Sequence, residues 1–279
     1  MNIRIIFIFF FFFLSSSLSI LGQKTSVYVS PHGDDWQLFM MPNAYHSIKN
    51  EDEKVLFLHT TAADAATGSL GENTFYMARE EGSMRAIRFL SNTFNIGAGL
   101  GANMNEEVLT INGHKIAKAT YRNAVIYFLR VPDGNVDGSG YSMYNYECIE
   151  KLYSGEVEQM KAIDNSTTYS SIEDFRNTIK EIIKLEGDSS HYFEFHMADT
   201  DAQVNPGDHS DHIYSVKIME DIASDFDNVT LNYYVEYYSA GLEQNIFDHD
   251  YMVSIGAWAV TASGLSDFYH NSTWNDGHN

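Results

Sequence analysis

One histidine and two carboxylates fall within four positions at Pro31-His32-Gly33-Asp34-Asp35, directly after the apolar run Ser26–Ser30. A second polar string, Asp208-His209-Ser210-Asp211-His212, lies far downstream and sets its two histidines three positions apart. Zinc and similar divalent ions take nitrogen and oxygen donors from such residues, and a hydrolytic site holds three ligands with a fourth position open to water. The first string supplies a His and an Asp and leaves a carboxylate over as a base; the second supplies a His where a helix opens. Each string alone has a plainer explanation. His-Gly-Asp after a proline is ordinary turn chemistry, and Asp or Ser before an apolar helix is ordinary capping. Taken together they point to metal-assisted hydrolysis, with Asp34, Asp211 and His209 left as acid–base candidates.

The pair also resembles the H-x-D-D and H-x-D-H signatures of the PIG-L/LmbE-like family, zinc-dependent deacetylases of N-acetylglucosamine-containing substrates. Two more stretches follow in the family's order. Thr61–Leu90 is similar to its glycine-containing loop and Arg/Glu-bearing helix, and Tyr127–Gly134 to its strand ending in Pro-Asp-Gly. The resemblance covers most of residues 26–240 and thins out beyond. It implies His32, Asp35 and His212 as metal ligands, Asp34 as general base, and His209 at the oxyanion and leaving amine with Asp211 orienting it. Arg79 and Asp133 would face the substrate. The sequence departs from the family at Gly33, where proline is frequent, and at Trp36-Gln37, where an acidic residue often follows the Asp pair.

The activity so implied is a zinc-dependent deacetylase of an N-acetylglucosamine-type sugar. A metal-dependent amidase acting on a non-sugar acylated amine and an inactive glycan-binding relative are the alternatives. Asp34 and His209 favour an enzyme, because a metal site without chemistry needs neither. A His₂Asp donor set also accepts iron or cobalt.

These groups need a scaffold that brings distant strings to one place. Ser26–Ser30, Lys54–Thr60, Ala124–Leu129, His191–His196 and Thr230–Tyr238 read as strands, rich in β-branched and aromatic residues. Asn112-Gly113 marks a hairpin between Val108–Ile111 and His114–Ile116. Helices are expected over Thr74–Leu90, with Met77, Met84 and Ile87 near one face, and after a capping box formed by Ser170 and Glu173. Another is expected over Ser210–Phe226. Strands alternating with helices predict an α/β, three-layer sandwich with a mostly parallel, Rossmann-like sheet, whose ligands gather beyond the carboxyl ends of the strands. With four prolines, no repeat and no linker, residues 23–279 read as a single domain.

The chain has 279 residues and a formal charge of −21. No cluster of Lys and Arg exists to displace the counterions of a polyanion, which excludes nucleic acid as a partner and disfavours an anionic membrane surface. Arg4 followed by the apolar run Ile5–Leu14 and a small-residue exit reads as a signal peptide over residues 1–22, so the protein is expected to be secreted or periplasmic; an uncleaved anchor is the lesser alternative. Cys148 has no partner cysteine and reads as a small buried apolar residue. Asp133–Ser139 matches the first half of a calcium loop, but Tyr144 stands where that loop needs Glu. Gly97, Gly99 and Gly101 read as a loop. The run Tyr233–Tyr238 reads as a buried strand face more than as a stacking surface for sugars.

Overall fold

The computed structural model describes residues 23–94, 103–187 and 191–271; the expected signal segment and the Gly97–Gly101 loop lie outside them. The chain runs β1 (Lys24–Val29), α1 (Asp35–Phe39), α2 (Asn43–Lys49), β2 (Lys54–Thr61), α3 (Phe75–Thr93), β3 (Asn105–Ile111), β4 (His114–Tyr121) and β5 (Ala124–Val131). It continues through α4 (Ile149–Ser154), β6 (Met160–Lys161), β7 (Thr168–Tyr169), α5 (Ile172–Glu186), β8 (Tyr192–Ala198), α6 (Ser210–Ala223), β9 (Val229–Tyr234) and α7 (Asp248–Asp267). The main sheet has seven strands in the order β3-β4-β5-β2-β1-β8-β9, with β6 and β7 forming a separate ribbon. Pairing is parallel from β5 to β9 and antiparallel in the β3–β4–β5 meander. The fold is the mixed α/β sandwich that the alternation of elements predicts.

Alternation along the strands divides the core in two. Val27, Val29, Leu56, Leu58, Phe193 and Phe195 face α5 and α6. Tyr28, Val55, Phe57, Ile126 and Phe128 face α1, α2, α3 and α7. The central strands are therefore buried on both sides, which is why they read as nearly continuous apolar runs. After β1 the chain crosses to β2 on one side, while β8 returns to pair with β1 on the other. The β1/β8 boundary is thus the switch point of the sheet, where strand ends diverge and leave a crevice. The first polar string leaves β1 and the second follows β8, so both open into that crevice.

Asn112 and Gly113 both take positive φ, 49° and 86°, and the β3–β4 hairpin pairs Ile111 with His114 across them. The cap of α5 lies one residue later than the spacing predicts: Ser171 accepts from Asp174 N, and the Asp174 carboxylate reaches back to Ser170 N. Met77 points to solvent, whereas Ile87 is in the core. The late aromatic strand stops at Tyr234, because Asn205 Oδ1 takes the N–H of Glu236 at 3.1 Å and the chain turns into a 3₁₀ segment, Tyr237–Gly241. Tyr233, Tyr237 and Tyr238 are accordingly exposed by 40–50% and do not form the buried face expected of them. Helix α7, which periodicity did not single out, packs along α3 at Gly82 and Gly264, where a Cβ on Gly264 would stand 2.5 Å from the Gly82 Cα.

Candidate metal centre

Three donor atoms from the two strings converge. His32 Nδ1 lies 3.0 Å from His212 Nε2 and 3.4 Å from Asp35 Oδ1, and His212 Nε2 lies 3.3 Å from Asp35 Oδ1. A tetrahedral ion with ligands at 2.0–2.1 Å has ligand–ligand edges of about 3.3 Å, so the triangle fits a zinc-sized ion. All three residues are buried.

The far side of each donor is already committed. Asp35 Oδ2 accepts the N–H of His32 at 2.7 Å. His32 Nε2 donates to Asp211 Oδ2 at 3.2 Å, and His212 Nδ1 donates to Asp208 Oδ1 at 2.8 Å. With a proton on its outer edge, the neutral form of each imidazole turns a lone pair inward, the tautomer a metal ligand needs. Asp211 is held by the N–H of Gly134 at 3.0 Å, and a Cβ on Gly134 would come within 2.5 Å of Asp211 Oδ1. The glycine of the Pro-Asp-Gly turn is there because the carboxylate passes so close.

Burial opposes charge on His32, but Asp35 and Asp211 outweigh it and raise its pKa to about 10 in the metal-free protein. Burial likewise opposes charge on His212, and Glu236, Asp35 and Asp208 lift it well above the usual value. Asp35 moves the other way: burial would raise it, and the two histidines hold it well below the carboxylate range.

The remaining expected residues line a cavity of about 540 Å³ beside this triangle: Asp34, Arg79, Asp133 and His209. Arg79 Nη2 is paired with Asp34 Oδ1, and its Nη1 donates to Ala63 O at 3.3 Å, so Arg79 engages the expected base as well as the cavity. Asp133 accepts the N–H groups of Asn135 (2.9 Å) and Ala65 (3.2 Å), which ties it to the rim. In the would-be calcium loop, Asp133 serves this cavity while Asp137 accepts from Ser139 N at the surface.

His209 caps α6: its Nδ1 accepts the N–H of Asp211 at 3.1 Å, so the proton of the neutral ring sits on Nε2, 4.0 Å from Asp133 Oδ1. The expected pairing of His209 with the Asp211 carboxylate has a separation of 3.7 Å, whereas that carboxylate makes its hydrogen bonds to His32 and Gly134. The Asp211 carboxylate does favour a charged His209, but it is outweighed. Burial, reinforced by the charge on His32, lowers His209 to about 4.

Three participants escaped the sequence reading. Asp208 stands four positions before His212, at the spacing that stacks side chains along a helix, but in the sequence it reads equally as an ordinary capping residue. Glu236 is fully buried against His212 Nδ1, and burial raises its pKa to about 7. Its one signal was a carboxylate inside an aromatic run. Tyr237 lines the cavity, with its ring 5.3 Å from that of His212.

No family model and no curated protein matches the sequence. Among solved structures, an N,N'-diacetylchitobiose deacetylase from Pyrococcus horikoshii, determined with its inhibitor MPG, is similar over 86% of this chain and 70% of its own, at 14% identity and a TM-score of 0.47. Among the described residues, no helix is long and apolar enough to cross a membrane.

Proposed function

We propose that this protein is a divalent-metal-dependent amide hydrolase, an N-deacetylase acting on an acetylated amino sugar. The observation that carries the reading is the buried triangle of His32 Nδ1, Asp35 Oδ1 and His212 Nε2, each donor oriented from behind and open to a cavity that holds a further carboxylate. An ion held by these residues would supply Lewis-acid activation of water and of an amide carbonyl.

The chain's own groups supply the rest. Asp34, at the cavity wall, accepts the proton of the attacking water and returns it to the departing amine. Arg79 fixes that carboxylate through Oδ1. His209 is neutral and presents Nε2–H to the developing oxyanion, a contact of the kind worth about 2.7–4 kcal/mol in other acyl-transfer sites. Asp211 orients His32, a different task from the one the resemblance implies. Leu38, Phe39 and Tyr237 also line the cavity and give it apolar surface suited to one face of a pyranose, and the Asp133 carboxylate there can accept from a hydroxyl.

The test is acetate release from N-acetylglucosamine derivatives and from acetylated non-sugar amines, using zinc-loaded and chelator-treated protein. Activity on the sugars that chelation abolishes and zinc restores is expected. Asp34→Asn should keep the metal and lose at least about 10²-fold in turnover. No acetate from any substrate with the metal loaded, or near-normal rates for Asp34→Asn, refutes the reading.

A further inference from the structure

The outer edge of His212 is held by two carboxylates, although its ring has one proton there to give. Asp208 Oδ1 lies 2.8 Å from Nδ1, and the Glu236 carboxylate contacts the same atom. Glu236 is fully buried, and among the described residues His212 is its only ionic partner. A buried carboxylate with no Lys or Arg beside it costs stability, and an apolar residue of similar size would serve the core better. The chain nevertheless builds support for it. Asn205, itself buried, donates through Nδ2 to Asp208 Oδ2 at 2.9 Å and accepts the N–H of Glu236 through Oδ1 at 3.1 Å. One amide thus ties the loop after β8 to the turn after β9, and both carboxylates are delivered to one imidazole edge.

We infer that Glu236 is a positioning residue that acts with Asp208 through His212 to fix how tightly a divalent cation is held between His32, Asp35 and His212. The inference rests on the metal reading above and adds a residue from an element outside both polar strings. The two carboxylates lock the ring's rotation and tautomer and increase electron density at Nε2, which strengthens it as a donor. A second cation lodged among Asp208, His212 and Glu236 is the competing account of the same cluster. The hydrogen-bonding separation between Nδ1 and Asp208 favours a proton there.

Full-length Glu236→Gln and Asp208→Asn, which are isosteric and remove only the charge, test this. Zinc affinity, by competition with a chelating dye, is expected to fall about 10–100-fold in each and further in the double variant. The visible spectrum of the cobalt-substituted protein should change. Thermal unfolding of metal-free Glu236→Gln should occur at or above the wild-type temperature, whereas a purely structural role would lower it. Asn205→Ala, which leaves both carboxylates present but untied, should show a smaller loss of affinity and keeps the question open to test if Glu236→Gln does not fold. Wild-type affinity with an unchanged cobalt spectrum in Glu236→Gln overturns the inference. So do two zinc ions per wild-type chain, one of them lost in that variant, since Glu236 would then be a ligand. A wild-type chain that takes up no zinc overturns the metal reading itself, a separate result.

Discussion

Adding zinc to the metal-free protein should release protons, and the structure bounds how many. In the absence of an ion, His32 is held at about 10 and His212 well above its ordinary value by the carboxylates around them. Their inward atoms, His32 Nδ1 and His212 Nε2, are 3.0 Å apart. Two protons facing each other across that gap would clash, so one nitrogen donates to the other and the pair shares one inward proton; a second is held only if Asp35 Oδ1 accepts it. An incoming cation requires both lone pairs, and uptake should therefore release between one and two protons per chain. Removing a proton from a group with a pKa of about 10 at pH 7.5 costs about 3 kcal/mol, so zinc affinity should rise about tenfold per pH unit for each proton, up to the folded pKa. Calorimetric titration with zinc in buffers of differing ionisation enthalpy counts the protons directly. The linkage has a second reading in stability. His32 is raised above its unfolded value near 6.5, so its contribution to the metal-free fold is full below that pH and is lost as pH rises through about 10. The zinc-loaded fold should lack that decline. Zinc uptake with no proton release, or an affinity flat between pH 6.5 and 8.5, would refute the placement of these two rings.

Gly134→Ala puts a Cβ 2.5 Å from Asp211 Oδ1 with Cys148 Cβ 3.2 Å away; the carboxylate that orients His32 must move, and zinc affinity should fall about tenfold or more in a chelator competition. Gly264→Ala gains about 1 kcal/mol of helix propensity but forces α7 from α3, an overpacking cost of about 1–3 kcal/mol, so denaturant unfolding should show a net loss of up to about 2 kcal/mol with the metal site unchanged. His209 is lowered to about 4, so its stabilising effect is present above its unfolded value near 6.5 and is lost as pH falls toward 4; its ring resonances should not titrate between pH 6 and 9, and His209→Asn, which keeps a capping acceptor, should retain zinc while kcat drops. A neutral-range titration assigned to His209 would restore it as a cation.

How much of this was legible follows from how local each feature is. His32, Asp34 and Asp35 share one turn and His209, Asp211 and His212 another, so each string shows itself within five residues, and strand alternation was enough to place both at the same end of the sheet. The direction of each side chain was not readable. Asp211 looks like a partner for His209 two positions away, yet as the second residue of α6 it projects toward the β5 loop, where Gly134 leaves room for it beside His32. Glu236 was hidden because a run of tyrosines and valine has one local reading, a strand. That strand is ended by Asn205, thirty-one positions earlier, and no periodicity carries that information. Helix α7 failed for a related reason: it is apolar around most of its surface and lacks a one-sided stripe.

The charges at the site explain why these separate devices belong together. Asp34, Asp35, Asp133, Asp208, Asp211 and Glu236 are all buried around one crevice, and Arg79 is a permanent cation among them. Buried carboxylates in that number would be severely unfavourable without compensation. In the metal-free chain the compensation comes from protons, on the inward edges of His32 and His212 and on Glu236, whose pKa stands at about 7. A divalent cation brings two positive charges and displaces one or two protons, so the exchange never leaves the cluster more negative and can leave it less so. The acids behind the histidines thus favour positive charge in the triangle, whether it arrives as protons or as a cation. Replacing any one of the outer carboxylates by its amide should therefore weaken metal uptake more than it weakens the metal-free fold, a difference that separates a metal centre from an acidic core that happens to contain histidines.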